Sequence, residues 1–86
     1  MSGKLILKHS GCTLILQYKN DRLISKSLDT DNSIILNLIY EKDEDEIMRY
    51  FYSRGKTSTL KEVVEAVNEN NYQTATDDMN IYWDKE

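Results

Sequence analysis

A tripeptide recurs at a spacing of nine: Leu5-Ile6-Leu7 is followed by Leu14-Ile15-Leu16, with Ser10-Gly11 midway between them. A two-residue turn at Ser10-Gly11 folds the echo onto itself as a β-hairpin, setting Leu7 opposite Leu14, Ile6 opposite Ile15 and Leu5 opposite Leu16. A second turn at Asn20-Asp21 returns the chain again, with Tyr18 against Leu23 and Gln17 against Ile24. Asn and Asp tolerate the positive backbone angles that such turns need.

Strand side chains alternate between two faces, so these registers sort the residues. One face collects Leu5, Leu7, Leu14, Leu16, Tyr18 and Leu23, and is expected to be the core. The other is an isoleucine stripe in a basic field: Ile6, Ile15 and Ile24 among Lys4, Lys8, Lys19, Arg22 and Lys26, with Thr13 and Gln17. The apolar run at 33–41 suits either a helix or a strand by period alone. A fourth strand is preferred, because its alternation repeats the same division. In addition, carboxylates that suit the positive end of a helix dipole come only later, at Asp43-Glu44-Asp45-Glu46.

Two helices are expected next. The first runs from Asp43 to Arg54, with Ile47, Met48 and Phe51 as its apolar stripe, Tyr50 and Tyr52 beside it, and Gly55 to end it. The second opens on Thr59 and Glu62, the spacing of a capping box, in which each side chain serves a backbone amide of the other. Leu60, Val63, Val64 and Val67 form its buried stripe, Lys61, Glu62, Glu65, Asn68 and Glu69 face outward, and Asn70-Asn71 terminates it. Met79 to Trp83 has room for a short fifth strand on the sheet edge. The expected fold class is α+β: an antiparallel four-stranded sheet, ββββαα with that optional C-terminal strand, and two helices on one face.

Length agrees with a single domain over residues 1–86, since a domain averages about 150 residues. A chain this short buries only about 60–65% of the surface its unfolded form exposes. With 40% hydrophobic residues and no proline, the composition is globular. One cysteine excludes an intramolecular disulfide framework, and the longest apolar stretch near the N-terminus, Leu5-Ile6-Leu7, is far below the roughly 7–15 residues of a secretory signal. A soluble, cytoplasmic protein of a bacterial or infected host cell is expected.

The chemical motifs fail on specific counts. His9 and Cys12 fall side by side across the first turn, but zinc needs three or four protein ligands and the sequence has no second His or Cys. Gly55-Lys56-Thr57 ends like a phosphate-binding loop, yet the glycine required five residues earlier is Tyr50. Asp29-Thr30-Asp31-Asn32-Ser33 begins like a calcium loop whose sixth and twelfth positions, Ile34 and Tyr40, are wrong. A helix-turn-helix reading would bring Glu62, Glu65 and Glu69 against phosphates. No enzyme activity, cofactor or metal is expected.

Charge is the remaining signal. The formal net charge of −4 divides unevenly: residues 1–28 carry five basic side chains against one acidic, and residues 29–86 carry six against fourteen. The acidic side chains Asp43, Glu44, Asp45, Glu46, Glu62, Glu65, Glu69, Asp77 and Asp78 are candidates to engage a basic protein surface, with Tyr50 and Tyr52 as aromatic anchors. The expected function is a small non-enzymatic inhibitor or regulator that blocks a basic or nucleic-acid-binding surface of a larger partner. In general character the chain is similar to phage and mobile-element anti-defence proteins of the anti-CRISPR and DNA-mimic kind, an analogy of class that transfers no motif. The alternative is a homodimeric scaffolding module that associates through its open sheet face or edge. Direct nucleic-acid binding ranks below both, because the basic face lacks an aromatic platform when Tyr18 lies on the leucine side.

Overall fold

The computed structural model describes residues 1–9, 11–31, 43, 59–74 and 79–86. Strands β1 (Gly3–His9), β2 (Cys12–Lys19) and β3 (Arg22–Asp29) form an antiparallel meander, followed by helix α1 (Leu60–Asn68) and strand β4 (Met79–Lys85). The sheet order is β3-β2-β1-β4, so β4 returns to pair antiparallel with β1. Among the described residues the architecture is therefore an open four-stranded antiparallel sheet with one helix, an α+β arrangement. The strand expected over 33–41 and the helix over 43–54 lie outside the described residues, apart from Asp43. The C-terminal strand is β4, longer than the 79–83 expected and fourth in the described sheet.

The nine-residue echo does fold onto itself. Leu5 pairs with Leu16, Ile6 with Ile15 and Leu7 with Leu14, in the register that the sequence implies. At the second turn Asn20 and Asp21 have φ of 51° and 65°. Positive φ at both central residues is the type I′ geometry whose twist matches the flanking strands. The chain start buttresses this turn: Asp21 N–H donates to the Met1 carbonyl at 3.0 Å, and Asn20 N–H to the Ser2 hydroxyl at 3.1 Å. The Met1 ammonium pairs with the Asp21 carboxylate.

One part of the expected register is corrected. Tyr18 faces Leu23, but Gln17 faces Ser25 rather than Ile24, with a register shift between Gln17 and Tyr18. Ile24 is the extra residue of a β-bulge, and one added residue reverses the side on which every later side chain falls. Lys26 consequently lies opposite Leu16, on the core side, and Ser25 and Ser27 take its expected place on the basic face. Leu28, opposite Leu14, joins the core margin.

The core forms on the leucine face. Leu5, Leu7, Leu14, Leu16 and Tyr18 from the meander meet Val63 and Ala66 of α1 and Met79 and Ile81 of β4, all of them buried. Leu23, Leu60, Val67, Tyr72 and Trp83 close its rim. At about 25 cal/mol per Å² of buried apolar surface, each fully buried leucine contributes roughly 1.5–3 kcal/mol.

Both ends of α1 are specified locally. Thr59, in extended conformation, accepts the Glu62 N–H at 3.2 Å. The reciprocal half of the expected capping box takes a different form: the Thr59 hydroxyl donates to the Glu62 carboxylate at 3.2 Å. At the C-terminus Asn70 adopts φ 54°, while Asn70 N–H reaches the Val67 carbonyl and Asn71 N–H the Ala66 carbonyl. This bond pair is a Schellman closure with Asn in the left-handed position usually held by glycine.

Candidate functional site

Two surfaces emerge, on opposite sides of the sheet–helix sandwich. The first is the outer face of α1. Glu62, Glu65 and Glu69 recur at i, i+3 and i+7, so they lie in one row, and all three are exposed. The buried residues of the helix, Val63, Val64 and Ala66, occupy the other side. Packing of that apolar side against the leucine face is what turns the carboxylates outward. A shallow depression lies among Glu62, Glu65, Ala66, Glu69 and Asn71. Asp43 is also exposed. Of the other expected contact residues, Glu44, Asp45, Glu46, Tyr50, Tyr52, Asp77 and Asp78 lie outside the described residues.

The second surface is the outer face of the sheet. The registers place Lys4, Ile6 and Lys8 of β1 beside Thr13, Ile15, Gln17 and Lys19 of β2, and Arg22, Ser25, Ser27 and Asp29 of β3 beside those. From β4 come Asn80, Tyr82 and Asp84, opposite Lys8, Ile6 and Lys4 respectively. Tyr82 is 49% exposed and sits in line with Ile6 and Ile15, forming an apolar row across three strands. The Lys8 ammonium stands over the Tyr82 ring, 5.8 Å from its centroid. An exposed cation–π contact of this kind contributes about 0.5–1 kcal/mol.

Tyr82 is the residue that sequence reasoning missed on this face. Its signal was present in the alternation Met79, Ile81, Trp83 against Asn80, Tyr82, Asp84, once the segment is read as a strand. The other described aromatics serve the core: Tyr18 is fully buried, Trp83 packs at the rim with its ring centroid 6.3 Å from that of Tyr18, and Tyr72 is half-buried.

His9 and Cys12 do face each other across the first hairpin. Cys12 is buried, with its sulfur 3.0 Å from the Thr30 hydroxyl. Among the described residues no group of three or more His, Cys, Asp or Glu side chains is gathered as a metal site would require, and no helix is long and apolar enough to cross a membrane.

The chain matches no family model, no curated protein and no solved structure.

Proposed function

We propose that the chain is a small non-enzymatic binding protein that inhibits or regulates a larger protein by occupying a basic surface, such as a nucleic-acid-binding groove. The observation that carries this reading is the row of Glu62, Glu65 and Glu69, exposed on a helix whose opposite side is locked into the core. Carboxylates on a rigid helix present fixed negative charge to a cationic groove without a large ordering cost, and such fields accelerate encounter. The remaining acids expected at this interface, Asp43 to Glu46, Asp77 and Asp78, with Tyr50 and Tyr52, extend the same proposal. So does the finer fold, in which a helix over 43–54 joins α1 on the leucine face and residues 33–41 add a strand to the sheet. A cytoplasmic anti-defence role of phage or mobile-element type is the biological setting in which a short acidic protein of this kind would act.

Affinity capture tests it. The chain and its Glu62→Gln/Glu65→Gln/Glu69→Gln variant are used as baits in parallel, at low and high salt. A basic partner held by the parent, released by salt and lost from the variant supports the reading. A partner held equally by both baits, or insensitive to salt, removes it.

A second reading, self-association, is favoured by the apolar row Tyr82–Ile6–Ile15 on the outer sheet face. Sedimentation at micromolar concentration decides it, because a strict monomer eliminates a homodimeric scaffold.

A further inference from the structure

We infer that the outer face of the sheet is a binding surface for single-stranded nucleic acid, with Tyr82 as its stacking platform. The inference goes beyond the acidic-helix reading and rests on the opposite side of the molecule.

Charge selects the class of ligand. Among the described residues the face carries four exposed cations, Lys4, Lys8, Lys19 and Arg22, against two carboxylates, Asp29 and Asp84. Lys19 and Arg22 are register partners beside the Asn20-Asp21 turn, and Lys8 stands toward the other end of the face. The cations thus bracket the apolar row. A second copy docked face to face would bring eight cations against four carboxylates, so the same charge that attracts a polyanion opposes self-association.

The aromatic selects among polyanions. Tyr82 offers a half-exposed ring on the outer face of the antiparallel sheet, next to Ile6, with Ile15 on the following strand. Adjacent strands lie about 4.8 Å apart, so the row reaches roughly 10 Å inward from the ring. Bases of a single strand are free to stack on such a surface, whereas those of a duplex are already stacked on one another. A duplex reader needs an element to enter a groove, and the described helix is on the far side and acidic. A base that stacks on Tyr82 displaces the Lys8 ammonium from its place over the ring, 5.8 Å from the centroid, and leaves it beside the base, within reach of a flanking phosphate. Asn80, Gln17, Ser25 and Ser27 supply hydrogen-bonding groups around the row.

The acidic helix does not cancel this surface. The glutamates stand on the outer side of α1, with the buried core between them and the sheet's outer face, and the Debye length at physiological ionic strength is only about 8 Å.

The test is fluorescence anisotropy of the full chain with a labelled single-stranded oligonucleotide of about 12 nucleotides, a length within the usual site sizes. A duplex of the same sequence and heparin serve as comparison polyanions. Single strand should bind in preference to both, and affinity should fall with salt. Tyr82→Ala should weaken binding by about fivefold or more, and Tyr82→Phe, which keeps the ring, should not. Lys8→Gln should weaken it and reduce the log–log salt slope by about 0.7, one phosphate contact on a single strand. Thermal melts of each variant confirm folding, which substitution of an exposed tyrosine should leave intact. Absence of single-strand binding at low salt overturns the inference. So does binding in which heparin and duplex compete equally and Tyr82→Ala has no effect, and so does a dimer in sedimentation that Tyr82→Ala dissociates.

Discussion

At Gly3 a single hydrogen in place of a methyl group decides how closely β4 can approach. A Cβ there would lie 2.5 Å from the Asp84 carbonyl oxygen and 2.8 Å from the Trp83 ring. The first contact is with backbone paired into the sheet, which cannot swing aside. Gly3→Ala should therefore destabilise the chain by about 1–3 kcal/mol, measured by urea denaturation, as overpacking does elsewhere. Asn70 makes the converse case. It holds a left-handed φ of 54° at the Schellman closure, where glycine has no Cβ penalty. Asn70→Gly should be neutral or stabilising by a few tenths of a kcal/mol, whereas Asn70→Ala should cost about 1 kcal/mol. The turn chemistry at Asn20-Asp21 was legible from residue type alone. The approach of Trp83 over Gly3 was not, because contacts between strands 80 residues apart leave no local trace.

At the scale of elements, the first hairpin could be read residue for residue because both of its strands carry the same Leu-Ile-Leu pattern and only one register aligns them. Strand β3 shows where alternation stops informing. Its bulge at Ile24 falls at no glycine and follows a correctly placed turn, so Lys26 changes face with no warning in the sequence. Among the described residues β3 lies at the edge of the sheet, and the bulge distorts a strand that would otherwise template pairing with another chain. Deleting Ile24 restores regular alternation of Leu23, Lys26 and Leu28 on the core side. The deletion should keep the far-UV circular dichroism of the fold and increase concentration-dependent association in sedimentation. In α1 the cap is the local determinant: Thr59→Ala removes the acceptor for the Glu62 N–H and should lower stability by about 1 kcal/mol. Loss of no stability at all would assign the helix start to packing alone.

At the scale of the whole molecule, the sheet separates two charges. Amphipathic alternation in β1 and β2 turns lysines away from the leucines, and the period of α1 turns glutamates away from the valines. Burial of one shared core thus produces a basic face and an acidic face. The net charge of −4 conceals both. The separation was visible in the uneven distribution of charge along the chain, but the identity of the basic face was not complete without β4, which adds Tyr82, Asn80 and Asp84 to it.

Docking of a basic protein partner on the acidic face of α1 is read out by amide chemical-shift mapping of the labelled chain with the captured partner. The largest shifts should fall on Glu62, Glu65 and Glu69, with Lys4, Lys8 and Tyr82 unmoved. Shifts confined to Lys4, Lys8 and Tyr82, with α1 unperturbed, would contradict it.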